Sequence, residues 1–429
     1  MRYSPIDNKL FIKNRENFQA KLKPNSIAIF QSNDVLPTNA DGTMPFRQNN
    51  DLFYLSGIDQ EETILILYPD AKQESHKEIL FLRETNEHIA TWEGEKLTKD
   101  QARELSGIKN IYWNNEFESV LNTLISDAEY IYLNSNEHSR AEKTIDTKED
   151  RFNKWCMERY PLHKYERAAP ILHQLRSIKS DIEIELIKEA CKITEKAFRR
   201  ILKFVKPGVM EYEIEAEITH EFIKNRSRGH AYMPIIASGK DSCVLHYITN
   251  NKQCKDGDLL LLDFGAEYAN YASDLTRTIP VNGKFSKRQK EVYLAVLKVM
   301  KFATSRLVVG NNLTDYNKEV GEVMQEELIR LGLLKAEDVK NQDSNAPLYK
   351  KYFMHGTSHF LGLDVHDVGS RYMPFQEGMV FTCEPGIYIR DEKIGIRLEN
   401  DILITKNGPV DLMKNIPLEL EEIESLMND

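Results

Sequence analysis

Two aspartates, Asp263 and Asp274, stand in sequence surroundings that are unusual for charged side chains. Asp263 ends a run of four leucines, where a lone buried carboxylate would cost several kcal/mol unless a positive group compensated it. Asp274 follows eleven residues later, a separation that lets two antiparallel strands bring both carboxylates to one point. For either aspartate alone a structural role is favoured, with Asp263 at a strand end and Asp274 paired with Arg277. The pair is therefore only suggestive of a reactive site.

Three of the eleven histidines, His355, His359 and His366, fall within twelve residues. Glycines and apolar residues separate them in the segment HGTSHFLGLDVHD. A single histidine here would more often be a satisfied core or surface residue than a ligand. A trio punctuated by glycine is much harder to explain in that way.

Acidic residues also lie in the apolar segments that follow. Glu384 stands just before Pro-Gly at the end of the run MVFTC. Arg397, Glu399 and Asp401 alternate with apolar residues, so they are expected to share one sheet face. An Arg397–Glu399 ion pair and a strand-end Glu384 explain each residue alone. Taken together, however, four carboxylates lie in apolar strands without enough cations to balance them: Asp263, Asp274, Glu384 and Glu399.

A charge balance favours two divalent metal ions. Four carboxylates bring four negative charges, which two divalent ions neutralise, and an imidazole supplies one neutral ligand. The predicted ligands are Asp263, Asp274, His359, Glu384 and Glu399. Carboxylate-dominated ligation favours Mn²⁺, and the imidazole also allows Co²⁺, Zn²⁺ or Fe²⁺. Two such ions roughly 3.5–4 Å apart can bridge a water, lower its pKa and polarise a carbonyl.

The elements that position these residues fall into two regions. In the first third of the chain, apolar runs of strand length lie at 26–30, 63–68, 78–82 and 130–133. Helical candidates at 98–106 and 116–126 alternate with them, which predicts an α/β domain with its own core. The polar stretch 134–164 is interpreted as a surface excursion and not as a core element.

The second region begins with a helix start at Ser180, which has Glu183 three residues later. Helices are predicted at 181–204 and 211–225, and again from Ser286 and from about Thr314. Because each pair is followed by strands, the region suggests two pseudo-symmetric halves. The boundary is placed near 173–180, and the predicted domains are 1–173 and 174–429.

Composition and charge exclude several classes of protein. The chain has 429 residues, 41% of them hydrophobic and 29% charged, which is typical of a two-domain globular enzyme. The net charge of -10 argues against a general nucleic-acid binder. No apolar run reaches membrane-spanning length, and no signal peptide is evident. The five cysteines form no CxxC pair, so reduced thiols and a cytoplasmic location are expected.

The ordered ligand set resembles a known family. The ligands lie in the segments LLLLDFGAEYANYASDLTRT, HGTSHFLGLDVHD, EPGIY and GIRLEND. This set is similar to that of the pita-bread metallopeptidases, and most similar to that of the aminopeptidase P (Xaa-Pro aminopeptidase) family. NADGTMPFRQNNDLFYLSGID resembles that family's N-terminal domain, so the likeness covers nearly the whole chain. It implies an α/β N-terminal domain of the creatinase/prolidase type. An α+β pita-bread catalytic domain with pseudo-two-fold halves would follow.

The resemblance also implies roles for individual residues. Asp274 and Glu399 would help to bridge the two metal ions, and His366 would donate to the scissile carbonyl oxygen. His246 and His355 would line the substrate pocket. Further active-site positions are Tyr232, Tyr388 and Arg397. Trp92 resembles an aromatic residue that reaches a neighbouring subunit's site, which implies a homo-oligomer, either a dimer or a tetramer.

One departure from the family concerns a connection near the site. Only six residues separate Tyr388 from Gly395, where many relatives carry a longer loop. The shape of the leaving-group side of the pocket, and hence the preferred peptide length, cannot be carried over from those relatives.

The predicted reaction is hydrolysis of the bond between an N-terminal residue and a following proline, by a hydroxide that bridges two divalent ions. This bond is a tertiary amide that general peptidases fit poorly. Glu384 is the predicted acceptor of the water proton, and His366 with a metal ion would stabilise the oxyanion.

Three alternatives to this reaction are weighed. The nearest is a prolidase, which cleaves only Xaa-Pro dipeptides with the same metal centre. A methionine aminopeptidase is disfavoured by the large N-terminal domain. A non-catalytic peptide- or histone-binding module on the same fold is disfavoured because all five ligands are present.

Overall fold

The computed structural model describes residues 2–343 and 345–428. Two compact units make up the chain, one spanning Tyr3–Arg176 and a second that begins at Ser177. Across the described residues, no helix combines the length and the apolar character that crossing a membrane requires.

The N-terminal unit is built on a six-stranded mixed sheet with the order β4-β3-β2-β1-β5-β6. Its strands are β1 (Ser26–Gln31), β2 (Ile64–Leu67), β3 (Glu78–Leu82), β4 (Asn110–Trp113), β5 (Tyr130–Leu133) and β6 (Lys164–Arg167). β1–β2 and β2–β3 are antiparallel, whereas β3–β4, β1–β5 and β5–β6 are parallel. Because the central strands are buried along their whole length, they appear in the sequence as continuous apolar runs. All four strands expected from those runs are observed.

Helices accompany this sheet. They are α1 (Lys9–Gln19), α2 (Asn50–Ser56), α3 (Glu87–Trp92), α4 (Lys99–Ser106), α5 (Phe117–Ile125), α6 (Lys148–Arg159) and α7 (Ala169–Arg176). The two helices expected at 98–106 and 116–126 are confirmed as α4 and α5. Thr98 caps α4, and Gln101 completes its capping box.

The interpretation of 134–164 as a surface excursion was wrong, because α6 lies within it. Thr147 caps this helix and Asp150 completes a capping box. Cys156 is fully buried in the hydrophobic core against strand residues such as Ile29 and Phe81. Only a narrow side of α6 is buried, so the helix is mostly polar in sequence and shows little amphipathic pattern.

A buried carboxyl group, Glu149, lies near the start of α6. Burial, with the charge of Asp51 as the next cause, raises the pKa of Glu149 to about 8. Among the described residues, Glu149 Oε1 has no hydrogen-bond partner. The folded chain therefore holds a proton that the unfolded chain releases above its ordinary carboxyl pKa of about 4.5.

Because the folded chain holds this proton, the stability of the fold falls as the pH rises. A raised carboxyl pKa stabilises the fold at low pH, and that contribution is lost as the pH rises from about 4.5 to about 8. Glu149→Gln is expected to raise stability at pH 8 by roughly 2–4 kcal/mol, with a much smaller gain at pH 5. Calorimetric melting at both pH values tests this. Glu158→Gln, on the exposed side of the same helix, is the control, and an equal gain at both pH values would contradict the prediction.

The C-terminal unit contains two halves, and in each half two long helices precede a three-stranded antiparallel sheet. The first half has α8 (Asp181–Phe204), α9 (Glu211–Lys224), β7 (Ile235–Ser238), β8 (Leu259–Phe264), β9 (Glu267–Tyr268), β10 (Tyr271–Ala272) and β11 (Leu275–Pro280). Its sheet order is β11-β8-β7. The expected capping box of Ser180 and Glu183 begins α8.

The second half repeats this plan. It has α10 (Lys287–Arg306), α11 (Leu313–Arg330), α12 (Ala336–Lys340), β12 (Val380–Cys383), β13 (Gly386–Ile389), β14 (Ile394–Arg397), β15 (Asn400–Thr405), β16 (Gly408–Asp411) and α13 (Leu420–Asn428). Its sheet order is β12-β15-β16, and β13 pairs with β14 as a separate hairpin. Ser286 caps α10, as the sequence predicted.

The two halves meet at an isolated bridge between Thr276 and Glu399. Arg277 is fully buried there and donates to the carbonyl oxygens of Thr276 and Glu399 at 2.9 and 2.7 Å. The same guanidinium also bonds the carbonyl of Pro417 and the side chain of Asn400. This arginine therefore fixes the backbone from which acidic side chains of both halves project.

Candidate metal centre

Each predicted ligand lies in a strand of the C-terminal unit or close to one. Asp263 is in β8, Asp274 directly precedes β11, His359 lies in the segment before β12, Glu384 directly follows β12, and Glu399 lies between β14 and β15. The backbone N–H of Glu384 donates to the carbonyl of Thr357 at 2.8 Å, and that of His359 bonds the Thr382 hydroxyl at 3.2 Å. The histidine segment is therefore held along β12.

Three of the five residues form one cluster. Asp274, His359 and Glu399 each offer a ligand atom, and these atoms all lie within 4.8 Å of one another. His359 Nε2 is 3.4 Å from Asp274 Oδ2 and 3.7 Å from Glu384 Oε1. His359 Nδ1 lies 3.0 Å from the carbonyl oxygen of Phe360. An N–H at Nδ1 would satisfy that carbonyl and leave Nε2 free to bind a metal ion.

Asp263 is connected to this cluster through Tyr232. The Tyr232 hydroxyl lies 2.7 Å from Asp263 Oδ1 and 2.5 Å from Asp274 Oδ1. Arg397 donates through Nη2 to the other oxygen of Asp263. The Arg397–Glu399 pair considered from the sequence is not among the ion pairs of the described residues, and Arg277 donates to backbone and Asn400 rather than to Asp274. One carboxylate of the five-residue set thus has an arginine partner.

Neighbouring groups orient the acidic side chains. The Thr276 hydroxyl donates to Glu399 Oε2 at 2.5 Å and accepts from Arg397 Nε at 3.1 Å. Asp401 Oδ2 accepts from the backbone N–H of Asp274 at 3.0 Å. The sequence analysis did not identify Thr276. Its spacing of two residues from Asp274 was a usable signal, because such residues face the same side of an extended chain.

The electrostatics of the cluster reflect burial of several carboxyl groups. Burial raises the pKa of Asp274, and it raises that of Glu399 well above its usual range. Burial also raises the pKa of Glu384 to about 7, although the positive charges of His359 and Arg397 oppose it. Burial favours a neutral His359, yet its contacts with Asp274 and Glu384 raise the pKa of this imidazole to about 9. These carboxyl groups therefore keep their protons at pH values at which exposed carboxyl groups are ionised.

This donor set fits divalent metal ions. Four carboxylates face one guanidinium, that of Arg397, so about three negative charges are left over when all are ionised. Carboxylate oxygens with one imidazole are ligands that hard or borderline divalent cations accept. Such cations would replace the protons that burial now favours, because ligands bind metals in their deprotonated form.

His366 is placed against the cluster. Its ring stands perpendicular to that of His359, with 4.4 Å between the ring centroids. The next residue, Asp367, forms a buried ion pair with Lys179 at 3.0 Å, and each side chain is 1% exposed. A Cβ at Gly362 would meet the Asp367 carboxylate at 2.2 Å. The loop that carries His366 is therefore tightly packed, and nothing in the sequence near Lys179 signalled this contact.

His355, Tyr388 and Arg397 form a chain of hydrogen bonds beside Glu384. His355 Nε2 and Arg397 Nη1 each lie 2.8 Å from the Tyr388 hydroxyl. His355 Nδ1 is 3.8 Å from Glu384 Oε2. Burial, followed by the charge of Arg397, lowers the pKa of His355 to about 4, and His246 contributes to this lowering from an exposed turn. His355 is therefore neutral near pH 7.

Trp92 belongs to the N-terminal unit, at the end of α3, and is 76% exposed. Its ring contacts that of His88, with the centroids 6.1 Å apart. The suggested approach of Trp92 to a neighbouring subunit stays a prediction.

Comparisons with known proteins identify the family of this chain. Residues 185–406 match the model of metallopeptidase family M24. The chain belongs to metallopeptidase family M24. Residues 11–132 match the N-terminal domain of aminopeptidase P. The predicted family is confirmed, and a member of this metallopeptidase family is a hydrolase.

Full-length relatives extend the likeness to both units of this M24 chain. The Xaa-Pro aminopeptidase of Haemophilus influenzae is 36% identical, with 97% of each chain covered. The Xaa-Pro aminopeptidase of Escherichia coli is 34% identical, with 99% of this chain and 98% of that one covered. The structure of Pseudomonas aeruginosa aminopeptidase PepP has a TM-score of 0.90 at 30% identity, covering 100% of this chain and 99% of that one. The predicted fold class, an α/β N-terminal domain followed by a pita-bread domain, is confirmed.

Proposed function

We propose that this chain is an Xaa-Pro aminopeptidase, which hydrolyses the bond between an N-terminal residue and a following proline. The observation that carries the proposal is the cluster of Asp274, His359 and Glu399 beside Glu384, within an M24 domain. Relatives that bear this name are 34–36% identical over nearly the full chain. The proposed domains are an N-terminal domain over 1–173 and a catalytic domain over 174–429.

The proposed cofactor is a pair of divalent ions. Asp263, Asp274, His359, Glu384 and Glu399 would hold these ions. The carboxylate-rich set favours Mn²⁺ and also accepts Co²⁺, Zn²⁺ or Fe²⁺. When bound, two such ions supply a hydroxide at neutral pH and a Lewis acid for the scissile carbonyl.

Glu384 is the proposed general base and acid. Its Oε1 lies 3.7 Å from His359 Nε2, and its side chain is 20% exposed, so water and a peptide can reach it. A carboxylate within reach of the attacking water and of the leaving nitrogen can both accept and return a proton. The proline nitrogen leaves as a secondary amine and needs one proton. We assign Glu384 to take that proton from the attacking water and to deliver it to the proline nitrogen.

His366 is the proposed donor to the carbonyl oxygen as negative charge develops on it. The buried Asp367–Lys179 ion pair fixes the backbone next to His366, whose own side chain is exposed and lies against the His359 ring. A donor that is already in place needs no reorganisation in the transition state, which makes its contribution large.

Replacement of His366 by alanine is therefore expected to lower kcat by roughly 10²-fold, with a smaller change in KM. Steady-state kinetics on an Xaa-Pro tripeptide measures both constants. His220→Ala, an exposed histidine on α9, is the matched control. A change confined to KM would instead assign His366 to ground-state binding.

The remaining predicted site residues are proposed to bind the peptide. Neutral His355 and the Tyr388 hydroxyl, which is held by Arg397, form one polar wall beside Glu384. The exposed turn of His246 lies within electrostatic range of His355. Tyr232 orients two of the proposed ligands, and Trp92 is proposed to act in a neighbouring subunit of a dimer or tetramer. The cytoplasmic location also stays a prediction.

An assay on defined peptides tests the proposed function. The manganese-loaded chain is expected to release the first residue from an Xaa-Pro-Xaa tripeptide, and to leave an Xaa-Ala-Xaa tripeptide intact. Cleavage of Xaa-Pro dipeptides alone would assign the chain as a prolidase. Absence of cleavage in a metal-loaded sample would favour a non-catalytic peptide-binding module.

A further inference from the structure

A cavity of about 570 Å³ lies between α11 and the segment that leads to His355. Its wall includes Gly321 and Gln325 of α11, together with Tyr349, Phe353 and His355. The volume falls within the range of cavities that bind small ligands. None of the roles proposed above uses this cavity.

The cavity shares a wall with the proposed active site. His355 lines it, and the same imidazole reaches Tyr388 and lies near Glu384. The Phe353 ring packs edge-on against His355, with the ring centroids 4.9 Å apart. The backbone N–H of Tyr388 donates to the carbonyl of Tyr352 at 2.9 Å, which ties β13 to this wall. A peptide held beside His355 is therefore also beside the cavity.

The exposed side of the metal centre indicates which part of a peptide meets this wall. The side chains of Glu384 and His355 are 20% and 18% exposed, whereas that of Asp274 is 8% exposed. An aminopeptidase needs room for one residue on the amino side of the bond, while the chain after proline must continue towards open space. The cavity adjoins this more exposed edge through His355, so it offers space for the chain after proline.

The charges at the cavity favour a carboxylate. Lys318 and Lys350 are exposed at its edge, and neither forms an ion pair with any of the described residues. Glu322 is the one acidic residue among the lining residues described. The edge thus has a net positive charge on a chain whose overall charge is -10. A peptide's free C-terminal carboxylate has the complementary sign.

We propose that this cavity binds the residues after proline in peptides longer than three residues, and that Lys318 and Lys350 recognise the C-terminal carboxylate. This inference rests on the proposed function, because it extends the same peptide site. It makes peptide length and a free C-terminus determinants of specificity.

The test compares Ala-Pro-Ala, Ala-Pro-Ala-Ala-Ala and the C-terminal amide of the pentapeptide. The manganese-loaded wild type is expected to have a kcat/KM roughly five- to tenfold higher for the pentapeptide acid than for its amide. The double variant Lys318→Glu/Lys350→Glu should abolish this preference and change tripeptide cleavage less than twofold. Lys351→Glu, which alters a neighbouring lysine outside the lining, is the control and should retain the preference.

Two results would overturn the inference while the proposed function stands. One is a wild type that cleaves the tripeptide but treats acid and amide alike, and the other is a double variant that keeps the wild-type preference. Failure to cleave any of the peptides would overturn the proposed function instead. Calorimetric titration of the pentapeptide acid and amide into wild type and double variant would then decide the cavity's role by binding alone.

Discussion

Replacement of Glu384 by alanine is expected to lower kcat on an Xaa-Pro tripeptide by roughly 10³-fold or more. Glu384 Oε1 lies 3.7 Å from His359 Nε2, and the Glu384 side chain is 20% exposed. The side chain therefore combines ligand chemistry with proton transfer in one position. Loss of the carboxyl group removes the acceptor for the water proton and the donor for the departing proline nitrogen.

Determining the metal content of the same samples separates the role of Glu384 as a metal ligand from its role in proton transfer. Variant and wild type are loaded with manganese, and turnover is expressed per bound ion. Glu377→Ala, which alters an exposed carboxylate shortly before β12, should behave as wild type. If the metal-loaded Glu384→Ala variant kept more than a tenth of wild-type turnover, Glu384 would not be the proton carrier.

Removal of divalent ions is expected to abolish hydrolysis, with a loss of at least 10²-fold, and manganese is expected to restore it. Four carboxylates face the guanidinium of Arg397 at the centre, and a divalent ion would add the positive charge and the Lewis acid that the scissile carbonyl needs. Dialysis against EDTA followed by stepwise addition of Mn²⁺ measures the loss and its reversal. Activity that survives exhaustive chelation would contradict a metal-dependent reaction.

Stability provides a second measure of metal binding that does not depend on turnover. A ligand that binds only the folded state raises stability by about 2.7 kcal/mol at a concentration 100 times its Kd. The melting temperature should therefore rise on addition of Mn²⁺. The variant Asp274→Asn/Glu399→Gln retains the shape of both side chains but loses two charges, and its melting temperature should respond weakly.

Much of the fold was predictable because local sequence and tertiary structure agree. Strands β1, β2, β3 and β5 appear as apolar runs, and Ser180 and Ser286 begin helices with capping boxes. α6 was missed because its buried side is narrow and its other residues are polar. The core position of Cys156 could be recognised only from the packing of α6 against the sheet.

The candidate site was predictable to the extent that its residues conflict with their surroundings. Carboxylates next to apolar strands, such as Asp263 and Glu384, stand out because burial without compensation is costly. Thr276 and Lys179, in contrast, lie in sequence surroundings that are ordinary for a threonine and a lysine. Lys179 contacts Asp367 across 188 positions of the chain, and such a distant pairing leaves no local pattern.

The central claim is that five side chains from distant parts of the C-terminal unit hold two divalent ions. Crystals grown with Mn²⁺ and measured at the manganese absorption edge test it most directly. The expected result is two anomalous peaks roughly 3.5–4 Å apart, enclosed by Asp263, Asp274, His359, Glu384 and Glu399. A map with no peak there, or with the Arg397 guanidinium in place of an ion, would contradict it.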